Sequence, residues 1–336
     1  MQKVVILGAT EGVVKAIEEI RSTDQTSEIT FLALDGQYPY NPHLFLEYIN
    51  KEASLSQVLC KPKDFYEKNK VKVILDKKIT KISFKKHKIA LSHRNSKNKI
   101  PIPAVPLLAE QTRGQDKPEN SHVTPVLALR SKATGPAGKI VQERKRVLIL
   151  EDNEAMEYDI LLITDPPSYR FPDIKGVQRE GVFGVKRFKD IQGMVKLFPI
   201  VETIVIQAED VNALKFVFAF LKMEKEIVVI SPNPEIFSSL ALEENKWIPQ
   251  ALEEGKLRFL KEYPIAEILG DEDVKAVRLQ SGKVIATQMV IFFNTPEDFK
   301  LFVDSPLKIN KKICVNAEFK TNIENVLAVH EACETP

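Results

Sequence analysis

The first twenty-one residues, MQKVVILGATEGVVKAIEEIR, constrain the fold more than any other stretch, because a buried strand, a tight turn and an amphipathic helix follow one another without a gap. Val4, Val5, Ile6 and Leu7 form a short apolar run rich in β-branched residues, the pattern of a parallel strand covered on both faces. Gly8 closes it. From Val13 onward, Val13, Val14, Ala16, Ile17 and Ile20 recur at helical spacing, with Lys15, Glu18, Glu19 and Arg21 on the outer face. Strand, glycine turn and helix in this order open a dinucleotide-binding unit, in which a phosphate sits at the helix N-terminus.

The turn departs from what such a ligand needs. Aligned on Gly8, the pattern G-x-G-x-x-G puts Thr10 and Val13 at its second and third glycines. The second glycine lets backbone approach the pyrophosphate and the third lets helix pack on strand, so both substitutions obstruct binding. Gly12 is off register, and Glu11 adds a negative charge beside the place of a diphosphate. The helix dipole, worth about 1 kcal/mol there, is partly spent on Glu11.

Length and composition narrow the remaining choices. The 336 residues allow two domains with separate cores. No apolar run reaches the ~18 residues of a membrane span, and the N-terminus enters a strand at once, so a cytoplasmic protein is expected. Cys60, Cys314 and Cys333 are far apart, which argues against a disulfide framework or zinc site; His43, His87, His93, His122 and His330 show no ligand spacing. A net charge of +2 gives no reason to expect nucleic acid. Glycine is the anomaly: 13 residues in 336 is well below the usual ~7%, although nucleotide-binding α/β folds depend on it.

Further along, Glu28–Leu34 reads as a second strand, completing a right-handed β-α-β unit. Asp35 follows, either as a ribose acceptor or, before Gly36, as a turn former. Helices are expected within 37–51 and over Pro62–Asn69, and strands over Lys72–Leu75, Ile79–Phe84 and Asp159–Thr164. A second strand-turn-helix-strand unit runs from Glu202 to Ser231. Its turn has no glycine, since Gln207, Glu209 and Asn212 stand where three would be. Glu209 and Asp210 are expected at the helix start, where they favour the helix and would repel a pyrophosphate. The strand Glu226–Ile230 ends in Ser231 and Pro232, without an acid for a ribose or an arginine for a 2′-phosphate. Beyond it, Ile236–Leu242 and Lys246–Glu254 read as helices. Lys256–Leu260, Ile265–Leu269, Val274–Leu279 and Lys283–Ala286 read as a meander, and Val290–Phe293 as a last core strand.

Residues 94–146 break the pattern with six prolines and 11 Lys or Arg against 4 Asp or Glu. They are expected to be a long insertion in a hairpin whose strands are Lys88–Leu91 and Val147–Leu150. A solvated loop is the plain reading. The apolar segments IPIPAVPLLA and VTPVLAL favour instead an arm docked on another surface.

The order of these elements, with YPYNPHLFLEYI, KPKDFYEKNKVKVILDKKITKI and the tail ENVLAVHEACETP, resembles the pyridine nucleotide-disulfide oxidoreductases, especially the FAD-dependent branch of nitrite reductase large subunits and rubredoxin reductases. The resemblance implies an α/β fold of two three-layer Rossmann-like domains of the FAD/NAD(P)-binding type, the second inserted in the first. The first would cover 1–190 with the arm 94–146 and the second 191–296, with 297–336 returning to the first. It also implies a residual FAD site at Gly8, Thr10, Gly12, Asp35, Thr164 and Glu331. Departures accompany it. Pro42 and His43 stand where the family has a flavin-contacting arginine, and Asp165 replaces the glycine of an Ala-Thr-Gly ending. His330 and Glu331 replace a Gly-Asp whose aspartate meets the ribityl chain. Family members continue into an interface domain, and without one family-style dimerisation loses its support.

Two functions compete on this reading. In the first, the chain is a pseudo-oxidoreductase without NAD(P) or FAD, kept as a non-catalytic structural or interaction subunit that meets a protein partner through the arm 94–146. The alternative is an FAD-binding oxidoreductase passing electrons to or from a protein partner, resting on Gly8, Asp35 and Glu331.

Overall fold

The computed structural model describes residues 1–75, 77, 79–88, 144–150, 155–233, 236, 247–261, 264–302 and 305–335. The chain splits into two compact units, one made of Met1–Tyr40, Leu59–Ser168 and Asp298–Pro336, the other of Asn41–Val58 and Tyr169–Glu297.

The first unit is built on a five-stranded parallel sheet. It contains β1 (Lys3–Gly8), β2 (Glu28–Ala33) and β3 (Val71–Ile74). The antiparallel strands β4 (Ile79–Lys88), β5 (Arg144–Leu150) and β6 (Ala155–Tyr158) form a separate meander, after which β7 (Ile160–Ile163) returns to the main sheet. The order across the main sheet is Val326–Ala328, β7, β1, β2, β3. The apolar run of β1 is covered on both faces, with Ile6 and Leu7 fully buried; burying each such side chain is worth about 1.5–3 kcal/mol. Helix α1 (Glu11–Thr23) buries Val13, Val14, Ala16, Ile17 and Ile20, the stripe that its 3.6-residue period predicts. Gly8 pairs with Ala33, while Ile163 pairs with Leu7 and with Ala328, so the strands end together at one edge. Between β1 and β7 the strand order changes direction, which is where open parallel sheets bind ligands.

The second unit repeats the plan. Its parallel sheet runs Leu257–Leu260, Glu226–Ile230, Thr203–Gln207, Met289–Phe292, Val182–Gly184. A three-stranded antiparallel sheet of Ile265–Leu269, Ala276–Leu279 and Val284–Ala286 packs its buried Ile268, Val277 and Ile285 into a core with Val205, Val228 and Val290.

Four expectations change. Leu257–Leu260 does not begin a meander: it pairs in parallel with Glu226–Ile230 after the helix Trp247–Glu253 carries the chain across. The helix after Gln207 begins at Ala213, so Glu209 and Asp210 lie in the turn before it, where Asp210 Oδ1 takes the amide of Asn212 at 2.8 Å. Ile79–Lys88 is one strand, kept in pairing with Arg144–Leu150 by two register shifts. Arg144, Lys145 and Arg146 consequently belong to β5 and not to the inserted arm. Arm residues 94–143 lie outside the described residues, as does the helix expected over 236–242 except for Ile236. Residues 169–190 group with the second unit, since Val182–Gly184 pairs with Met289–Phe292 and Phe188 stacks on Phe45 at 5.8 Å.

Candidate functional site

At the edge where β1 and β7 end, the first turn folds around a carboxylate. Asp165 is 2% exposed. Its Oδ2 accepts from the amides of Ala9 at 2.9 Å and Thr10 at 3.3 Å and from the Thr164 hydroxyl at 2.6 Å. Its Oδ1 accepts the Thr10 hydroxyl at 2.6 Å. A buried carboxylate is costly unless its oxygens are met by donors, and here four donors converge at the positive end of α1. Thr10 is the N-cap of α1 yet makes no side-chain cap bond, because its hydroxyl is turned to Asp165.

Side chains close the same edge. A Cβ on Gly8 would lie 2.1 Å from Thr164 Oγ1, 2.4 Å from Val13 Cγ2 and 2.8 Å from Asp165 Oδ2, so β1 approaches α1 and the end of β7 too closely for any other residue. A Cβ on Gly12 would lie 2.8 Å from the imidazole of His330, which packs against the start of α1. His330 has φ 53°, the left-handed conformation that suits glycine, and its Nε2 is buried without a hydrogen-bond partner. Thus the predicted residues Gly8, Thr10, Gly12 and Thr164 come together, joined by Asp165 and His330. Glu331 turns to Lys312 at 3.0 Å, and Asp35 sits half-buried just past the end of β2. In the second unit His43 is exposed on a single 3-10 turn. Burial, with Glu11 and Asp165 nearby, pushes the thiol of Cys60 up to about 12, so it stays protonated and is no nucleophile.

Burial holds His330 below the ordinary histidine range; Lys15 adds to this, while Asp165, Glu11 and Glu331 oppose it. The unfolded chain therefore takes up a proton near pH ~6.5 that the folded chain resists. Stability is complete above that value and falls as the pH drops below it. Urea midpoints measured between pH 7.5 and 5.5 should decline, and His330→Asn, which tolerates the left-handed backbone, should flatten the decline. An equal decline in that variant would assign it to other groups.

The second unit closes its turn in the same manner with neutral groups. Ala208 donates its amide to Ile230 O at 3.1 Å, and Glu209 donates to Asn294 Oδ1 at 2.8 Å. Asn233 Nδ2 donates to Glu209 O at 2.8 Å, and Gln207 Oε1 accepts from Ile265 N at 2.8 Å. Ser231, at the end of the next strand, is fully buried and offers no charge.

The family model described as pyridine nucleotide-disulphide oxidoreductase matches residues 2–334. The chain belongs to this family. Over 198 residues, 58% of the chain, it is 24% identical to nitrite reductase [NAD(P)H] of Bacillus subtilis (strain 168), matching 24% of that protein. It is 21% identical to the assimilatory nitrate reductase electron transfer subunit of the same strain, again over 58% of the chain and 25% of that protein. The chain thus spans about a quarter of these relatives' length. The putidaredoxin reductase in its covalent complex with putidaredoxin superposes with a TM-score of 0.68 at 12% identity, over 99% of this chain and 68% of that one. That likeness establishes the fold, a FAD/NAD(P)-binding type α/β architecture.

Against the cofactors that the family implies, the residues present do not fit. In the first unit the Ala9 and Thr10 amides are already taken by a carboxylate, and the imidazole of His330 covers Gly12. In the second, Asn294 covers the Glu209 amide and two acidic side chains stand in the turn. Among the described residues no group of three or more His, Cys, Asp or Glu is placed to hold a metal, and no helix is long and apolar enough to cross a membrane.

Proposed function

We propose that this chain is a non-catalytic member of the pyridine nucleotide-disulphide oxidoreductases that has kept the fold and lost FAD and NAD(P), and that it serves an assembly through protein contacts. One observation carries the reading: the turn amides of the first unit are taken by Asp165. A diphosphate brought to the same amides would face that buried negative charge at the start of α1, with Glu11 beside it. Like charges that close cost several kcal/mol when water is excluded, more than the ~1 kcal/mol that a helix terminus returns. The relatives named above include an electron transfer subunit and a reductase captured with its protein partner. Their example favours a protein as the partner here. Residues 94–143, the part of the expected arm 94–146 that precedes β5, carry a surplus of basic residues and two apolar segments and are the candidate contact. The protein is expected to be cytoplasmic.

The visible spectrum of the purified protein tests this directly. No flavin absorption is expected, and calorimetric titration with NADH or NADPH should stay flat at concentrations that would saturate a micromolar site, one worth about −8 kcal/mol. Stoichiometric flavin carried through purification would favour the second reading, an FAD-dependent carrier of electrons for a protein partner.

A further inference from the structure

We infer that Asp165 is a resident anion: its carboxylate takes the turn amides in place of a dinucleotide phosphate, and His330 fills the space beside Gly12, so that the first unit is held closed by its own side chains. This deepens the reading above and rests on it.

The geometry of Asp165 differs from that of an ordinary turn carboxylate. A turn-forming aspartate bonds to backbone two or three residues along its own segment, as Asp24 does when it accepts from the amides of Thr26 and Ser27. Asp165 instead reaches across to Ala9 and Thr10, 156 and 155 residues earlier in the chain. The donors it meets, two successive amides at the entrance to a helix, make up the environment that binds free anions. The donors that meet its charge are two amides and two hydroxyls. Glu11, the other acidic residue at this helix start, is already paired with Lys15 at 2.8 Å. Asp165 stands where the family resemblance places a glycine, which would leave the amides open.

His330 completes the closure. It stands where the resemblance places a glycine, has φ 53°, a left-handed backbone that suits one, and puts a ring against Gly12. Its Nε2 has no hydrogen-bond partner, so the ring is held by fit and not by a polar bond of that atom. Two side chains, one anionic and one bulky, thus stand at positions where the family pattern leaves backbone bare.

An anion supplied from solution should therefore replace a deleted carboxylate. In the full-length chain, Asp165→Gly is expected to melt below the wild type, and inorganic diphosphate should raise its melting temperature with a saturable dose dependence. The wild type, its amides occupied, should respond to diphosphate no more than to sodium chloride of equal ionic strength. Asp165→Gly combined with His330→Gly should bind diphosphate at least tenfold more tightly than the wild type. If Asp165→Gly does not fold unaided, the same titration is read as the yield of refolded protein, which diphosphate and not chloride should raise. A wild type and variant that respond equally, or a variant that responds to neither salt, overturns the inference. Flavin in the purified wild type would instead overturn the proposed function, so the two failures are told apart.

Discussion

Gly8→Ala is expected to lower the stability of the first unit by about 3 kcal/mol or more, at the upper end of what overpacking costs. Its Cβ would fall within 2.8 Å of Thr164, Val13 and Asp165 together, and none of these atoms is the free end of a flexible side chain. Thr164 is bonded to Asp165 and to Leu7 O, Asp165 to the turn amides, and Val13 lies fully buried in α1. To relieve the clash, α1 must lift from β1 or the Asp165 bonds must break. Gly12→Ala should cost less, because the atom it meets at 2.8 Å is a ring that can swing away. Gly255→Ala, with φ 69° and nothing near its Cβ, should cost about 1 kcal/mol from backbone conformation alone. Urea unfolding of the three variants checks the order. A Gly8→Ala protein as stable as Gly255→Ala would show that the turn relaxes freely. The expected order also gives Gly8 a packing role that owes nothing to a cofactor, so its survival is no evidence for flavin.

What could be read in the sequence was the part governed by local pattern. Val4–Leu7 and Glu226–Ile230 are apolar at nearly every position because both faces of a parallel sheet are covered, and both form central strands. Helix α1 was legible for the same reason, its buried residues recurring every third or fourth position. Leu257–Leu260 reads as part of a meander because a four-residue strand carries no mark of parallel or antiparallel pairing; the partner decides, and here it is Glu226–Ile230. Lys85–Lys88 has no apolar alternation at all, yet the ladder continues there through Lys88 opposite Arg144. At the site, the loss of glycines was visible but its consequence was not. That Asp165 folds back onto Ala9 depends on β7 lying beside β1, a contact between residues some 156 positions apart. An acidic residue directly after a buried strand at a switch-point edge was the signal available for it.

Removing residues 96–143 should abolish partner capture while leaving the core intact. Lys88 and Arg144 are register partners at the end of the β4–β5 hairpin, so the chain leaves and re-enters the ladder at one point. A short Asn-Gly-containing connection can close that hairpin, and exchanging a long loop for a short one changes closure entropy by only about 1–2 kcal/mol. Thermal stability should therefore stay close to that of the full chain. Partner binding should not survive. Residues 94–143 carry 8 basic against 4 acidic residues, a surplus of four, with two apolar segments between prolines. Prolines reduce the ordering entropy that otherwise opposes such contacts by about 1–2 kcal/mol per backbone residue. The basic surplus favours an acidic partner surface and makes association sensitive to salt, since exposed charges are screened beyond about 10 Å at 0.1 M. Affinity capture with the intact chain, repeated with the deleted one and at raised salt, separates the outcomes. Partners lost on deletion and weakened by salt fit the proposal; a deleted chain that holds the same partners at full strength would make the arm a passive loop and move the interaction surface to the two folded units.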